Sequence, residues 1–167
     1  MKQTKMRLRQ CFLLIITGVG FLFSFSTRLA NSNLQGTDSS KIAFIDSLLE
    51  VSSQRYRVLI QSLGSEKAFP LSVDANYDLI RVKSTHWTSG FFPGSLWYLY
   101  EFSDDQYFKE AATNWTERLY REKDNNKTHD VGFMLHCSYG NAYRLTGMEE
   151  YGTILMESSE SLVSRFD

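Results

Sequence analysis

Leu99-Tyr100-Glu101-Phe102-Ser103 followed by Tyr107 returns as Ala142-Tyr143-Arg144-Leu145-Thr146 followed by Tyr151, about 44 residues later, and this weak repeat restricts the fold more than any other feature. Periods of roughly 20–50 residues belong to arrays of helical hairpins. Each unit is then one inner and one outer helix, and a unit needs neighbours to bury its apolar face. An all-α array is therefore expected.

Hydrophobic spacing agrees. Ile42, Ile45, Leu48, Leu49, Tyr56, Ile60 and Leu63 follow the three/four interval of one helix face, and Gly64 stops it. Residues 65–86 hold no period, so Phe69-Pro70 opens a long irregular connection with a short extended piece at Asp78–Val82. Pro93 sits at a first-turn position of the second helix. Ser103-Asp104-Asp105 ends that helix and caps a third over Gln106–Lys123. A polar loop, Asp124 to Thr128, precedes a fourth helix over Val131–Leu145 that stops at Thr146-Gly147. A fifth begins near Glu149. The array reaches Asp167 in the middle of a periodic run, so the expectation is the N-terminal part of a larger all-α protein.

The first 32 residues read as a secretory signal peptide. Lys2, Lys5, Arg7 and Arg9 form a basic start, Cys11 to Phe25 is apolar, and Ala30-Asn31-Ser32 offers small residues for cleavage. A membrane anchor is the competing reading, but about 15 apolar residues fall short of the ~20 a spanning helix needs. No stable membrane span is expected after cleavage, and the destination is the periplasm or the exterior. Asn33 to Ser40 would be a polar leader, and residues 41–167 the domain proper. The signal holds five of the 18 Lys and Arg and none of the 19 Asp and Glu, leaving 13 cations against 19 anions. A net charge of −6 argues against a nucleic-acid partner. Cys137 is then the sole cysteine, so no internal disulfide forms, and it reads as a buried small hydrophobe.

Two loop–helix junctions carry the candidate chemistry. Asp130, beside His129, is either a helix cap (with Thr128) or a catalytic carboxylate at a helix N-terminus. Trp87, in the Gly/Pro-rich run Trp87-Thr88-Ser89-Gly90-Phe91-Phe92-Pro93-Gly94, is either a core aromatic or a platform for a sugar ring. Gly90 and Gly94 allow close backbone approach. Trp97 and Trp115 lie in helical stripes and read as core. His136 reads as a core histidine, and Gly140, costing about 1 kcal/mol mid-helix, as the mark of a close helix–helix contact. No metal site and no cofactor are expected, because a metal needs a third ligand that the two histidines lack. Asn114-Trp115-Thr116 and Asn126-Lys127-Thr128 match the glycosylation pattern, the first by coincidence within a helix.

Taken together, Trp87 to Trp97, His129-Asp130-Val131-Gly132-Phe133 and Ser138 to Thr146 resemble the unsaturated glucuronyl hydrolases, glycoside hydrolase family 88, in order and spacing over residues 41–167. The resemblance implies an incomplete (α/α)6 barrel, a six-hairpin toroid of which only the N-terminal hairpins are present. It also implies release of a Δ4,5-unsaturated uronic acid from the non-reducing end of lyase-generated oligosaccharides. By that resemblance the double bond is hydrated and the hemiketal collapses, unlike displacement at the anomeric carbon by two carboxylates. Asp130 matches the first of two essential aspartates, Trp87 the aromatic on the uronyl ring, and His129 a substrate contact. The second aspartate belongs to an Asp-Asn-Met-Met-Asn-type motif that this sequence does not contain. The fragment is therefore expected to be inactive alone. The competing function is a non-catalytic helical-repeat module that binds carbohydrate or protein.

Overall fold

The computed structural model describes residues 39–166. The signal-peptide reading and most of the polar leader lie outside them. The chain divides at Ser47/Leu48, within the first helix, and the compact unit from Leu48 onward holds the rest of that helix and every later element. No helix among the described residues is long and apolar enough to cross a membrane.

Helix α1 spans Ser39–Leu63 and ends where Gly64 turns to a φ of 52°, a left-handed conformation glycine adopts freely. Its last turns bury Leu63 and pack Tyr56, Leu59 and Ile60 on the core. Ile42, Ile45 and Leu48, on the expected stripe, are exposed. The buried face is thus only the C-terminal half of the periodic one.

The connection after α1 is not irregular. Strand β1 (Phe69–Val73) pairs antiparallel with β2 (Leu79–Val82), with a bulge between Pro70 and Ser72. Asp74 closes the hairpin, its Oδ1 accepting the N–H groups of Asn76 (2.8 Å) and Asp78 (2.9 Å). The extended piece expected at Asp78–Val82 is β2, one residue shorter, and its strand partner has no counterpart in the sequence reading. The reason is physical: Phe69 is the only fully buried residue of β1, so no alternation marks the strand. Phe69 anchors the hairpin edge-on against Trp115, ring centroids 5.3 Å apart.

Helix α2 (Phe91–Ser103) and helix α3 (Gln106–Glu117) form the first helical hairpin. Asp104 takes the left-handed cap (φ 52°) of α2, and the Asp105 carboxylate accepts the Tyr107 N–H at 2.9 Å to start α3. Between them the buried Trp97 indole donates to Thr116 Oγ1 at 2.9 Å. Trp97 and Trp115 are core, as their spacing predicts. The buried Thr116 hydroxyl is committed to that bond, and Asn114 in the helical sequon bonds Arg118. Helix α3 stops short of Lys123, and the chain tightens into a 3₁₀ turn over Tyr120–Asp124 that carries Glu122 into the interior, where Asn125 donates to it.

The second hairpin begins with α4 (Val131–Leu135), widens into a π turn over His136–Gly140 and continues as α5 (Asn141–Thr146). A π turn displaces carbonyls from the ordinary ladder. Two side chains meet them: Ser138 Oγ donates to Met134 O (2.6 Å) and Asn141 Nδ2 to Cys137 O (2.9 Å). Gly147 (φ 67°) turns the chain into α6 (Glu149–Val163), which packs Tyr151 edge-on against Tyr139.

The repeat read from sequence is a repeat in space. Ser103 Oγ bonds Leu99 O and Thr146 Oγ bonds Ala142 O, at matching points of α2 and α5. The equivalent positions Glu101 and Arg144 face each other through two parallel bonds of 2.7 Å.

At the other end of these helices the backbones touch. A Cβ on Gly90 would lie 2.3 Å from Met134 O and 2.4 Å from Phe133 O, and one on Gly94 would lie 2.6 Å from Cys137 O. The close approach is therefore at Gly90 and Gly94. Gly140 does not carry it: a Cβ there would meet only its own turn, His136, at 3.7 Å.

Gly90→Ala should cost about 3 kcal/mol or more in urea unfolding, because a carbonyl cannot yield as a side chain does. Gly132→Ala, with open space around its Cβ, should be neutral or stabilise by up to about 1 kcal/mol. Equal effects would contradict the packing described.

Arg144 holds the Glu101 carboxyl below the usual carboxylate range, chiefly by direct hydrogen bonding. The pair then contributes fully above the ordinary glutamate pKa of about 4.3, and its contribution disappears as pH falls through the lower folded value. Arg144→Gln should cost no more than about 1 kcal/mol at pH 7, since both side chains are well exposed, and the difference should vanish in acid.

Candidate functional site

Gly90 faces Phe133–Met134 and Gly94 faces Cys137, so position numbers rise together along the two contacting helices. Helices α2 and α4 therefore run parallel, and their N-termini share one end. That end brings together the two junctions singled out in the sequence.

Trp87 occupies the turn before α2 and is 47% exposed, so it is not a core residue. Its ring lies edge-on to Phe91 (5.6 Å) and to Phe133 (6.1 Å), which contact each other at 6.2 Å. His86 stacks on Trp87 with ring centroids 6.2 Å apart. The turn is fixed from beneath: buried Ser89 donates to Ser84 O at 2.7 Å, and His86 Nδ1 bonds Thr88 Oγ1 at 2.8 Å. Three large aromatics standing out together form a platform suited to the apolar face of a ring.

Asp130 stands one helical turn before Phe133, on the same face. It sits at the cap position of α4, yet its carboxylate accepts no N–H from the helix. Oδ2 instead accepts the Thr128 hydroxyl at 2.9 Å, while Thr128 Oγ1 accepts the Asp130 N–H at 3.1 Å. Oδ1 lies 3.3 Å from His129 Nε2. The cap reading therefore fails for Asp130, while Thr128 does take up a backbone N–H of the turn that leads into the helix. Thr128 fixes the rotamer of a carboxylate whose other oxygen faces the His129 ring, with a quarter of its side chain exposed. His129 projects into solvent, its side chain 78% exposed, with Nε2 toward Asp130.

Other expectations need correction. His136 is exposed rather than core, because the α4–π face that carries Phe133 also carries it. Cys137 is half-buried; burial pushes its thiol pKa up, which makes it a poor nucleophile. Among the described residues no group of three His, Cys, Asp or Glu side chains could hold a metal ion. Phe91 and Phe133 were not picked out as site residues. Each lies in an apolar run, where sequence cannot separate an outward aromatic from a core one.

Paired inner helices running parallel, each backed by an outer helix, with the exposed aromatics and the Asp130 carboxylate at their shared N-terminal end, make up part of an (α/α)6 barrel. No protein-family model matches the chain. It is 33% identical over 115 residues to an unsaturated glucuronyl hydrolase of Formosa agariphila, covering 68% of this chain and 29% of that protein. It is 25% identical over 126 residues to an unsaturated chondroitin disaccharide hydrolase of Streptococcus agalactiae, covering 73% of this chain and 31% of the relative. The crystal structure of an unsaturated glucuronyl hydrolase specific for heparin superposes with a TM-score of 0.63 at 36% identity, over 72% of this chain and 33% of that one. The chain belongs to the unsaturated glucuronyl hydrolase family, and it spans about three tenths of the length of these curated relatives.

Of the three tryptophans, only Trp87 is open to water. Acrylamide should therefore quench one red-shifted component of the emission, and Trp87→Phe should remove it. Persistence of that component in the variant would place Trp97 or Trp115 in solvent and contradict the packing above.

Proposed function

We propose that this chain supplies the substrate-binding wall of a glycoside hydrolase that removes a Δ4,5-unsaturated uronic acid from the non-reducing end of lyase-generated oligosaccharides. One observation carries the reading: an exposed aromatic platform lies one helical turn from a carboxylate that the helix does not use. Trp87 packs the apolar face of the unsaturated ring, and Phe91 and Phe133 hold its orientation. Asp130 accepts the sugar hydroxyls, with Thr128 keeping its carboxylate aimed. His129 adds a donor to the substrate.

The chemistry is hydration of an enol ether. One ring carbon of the double bond takes a proton, water adds at its neighbour, and the hemiketal opens with loss of the next sugar. That requires an acid poised for proton transfer. Asp130 tunes and faces such an acid rather than acting as a nucleophile. The second aspartate motif is missing from these 167 residues, so by themselves they bind substrate without turning it over. The basic then apolar N-terminal segment favours action in the periplasm or outside the cell.

Titration of the 167-residue chain with an unsaturated chondroitin disaccharide, followed by tryptophan emission, tests this. Binding is expected, with Trp87→Ala weakening it about tenfold or more, the equivalent of about 1.4 kcal/mol. Asp130→Asn should weaken it several-fold. Equal affinity for a saturated uronide would defeat the substrate assignment. Loss of the double-bond absorbance on incubation with the chain would defeat the claim that it is inactive alone.

A further inference from the structure

The connections around the first hairpin also line an open concavity of about 940 Å³ that includes neither Trp87 nor Asp130. It lies between the segment after α1, the segment after β2 and the end of α3. Four cations line it, Lys67, Lys83, Arg118 and Arg121, against one carboxylate, Glu117. Residues 39–166 carry 13 Lys and Arg and 17 Asp and Glu, so this concentration of positive charge runs against the balance of the chain.

The cations are of two kinds. Arg118 is fixed: its guanidinium lies 3.7 Å from the Trp115 ring centre and bonds both Asn114 Oδ1 and Glu66 O. Burial lowers its pKa, though not enough to discharge an arginine. Lys67, Lys83 and Arg121 make no ion pair or side-chain hydrogen bond among the described residues. By contrast, Arg57 pairs with Asp105, Lys123 with Glu157 and Arg144 with Glu101. One immobilised guanidinium and three uncommitted cations around a concavity form an arrangement complementary to an oxyanion.

We propose that this concavity binds the sulfate or carboxylate group of an acidic saccharide, at a site separate from the aromatic cleft. The saccharide part rests on the functional reading above; the oxyanion part does not. Arg118 sets the position of the anion, and Lys67, Lys83 and Arg121 close on it from the rim. Ser84 and Thr85 in the same wall offer polar groups to the sugar.

The test uses the full chain and a saturated, sulfated tetrasaccharide, which carries no unsaturated ring for the cleft. Calorimetry is run with an unsulfated, carboxylate-bearing tetrasaccharide as the second arm and inorganic sulfate as competitor. The double variant Lys83→Ala/Arg121→Ala should lose at least tenfold in affinity for whichever arm binds, and Trp87→Ala should leave that affinity unchanged. Both double-variant positions are exposed, so the fold should survive, and an unaltered unfolding curve checks it. Binding should weaken steeply with added salt. Failure of both tetrasaccharides to bind, an unchanged affinity in the double variant, or loss of binding in Trp87→Ala would overturn the proposal. The first two outcomes leave the unsaturated-uronide reading intact, because that reading depends on Trp87 and an unsaturated probe.

Discussion

The contact between the backbone of α2 at Gly90 and Gly94 and the carbonyls of Phe133, Met134 and Cys137 underlies the rest of the structure. Helices packed through side chains stand about 8–10 Å apart. Two glycines four residues apart remove the side chains from one ridge and let the helices meet at their backbones. Because the contacts advance in step, the two helices are parallel and both N-termini emerge at one end. Every other property of the cleft follows from that.

The same contact gives a reason for the irregularity of the second inner helix. Cys137, opposite Gly94, lies inside the π turn, and its carbonyl is held by the Asn141 amide. Ser138 takes the Met134 carbonyl beside it. The cost of a widened turn is offset by side chains already in place. The two hairpins are joined again at their far ends by Arg144 and Glu101, so the inner pair is tied by backbone contact at one end and by charge at the other.

The cleft itself is built from residues that do not satisfy the fold. Asp130 leaves the N–H groups of its helix uncapped and accepts from Thr128 instead. Trp87, Phe91 and Phe133 expose large apolar surfaces that would be worth burying. His129, just before α4, and His136, at its C-terminal cap, both stand in water. Departures of this sort from local optimality concentrate where a protein meets a ligand.

The hairpin repeat, the helix stops at Gly64 and Gly147 and the core roles of Trp97 and Trp115 were legible in sequence, because each is a local pattern of spacing or backbone permission. So were the two junctions that carry Trp87 and His129-Asp130. The β-hairpin was not, since a strand with one buried residue has no period to read. Nor was the choice between Gly140 and Gly90 as the point of contact. A glycine states only that the backbone can be approached, and the partner helix decides whether it is. Cap or open carboxylate, core aromatic or platform, were undecided for the same reason: residue type fixes what a group can do, and burial and hydrogen-bond partners are properties of the packed chain. The sequence by itself determined the succession of helices and the chemistry available at two loops. The tertiary structure decided that those loops lie side by side, because only the crossing of α2 over α4 brings positions some forty residues apart to one end of the fold.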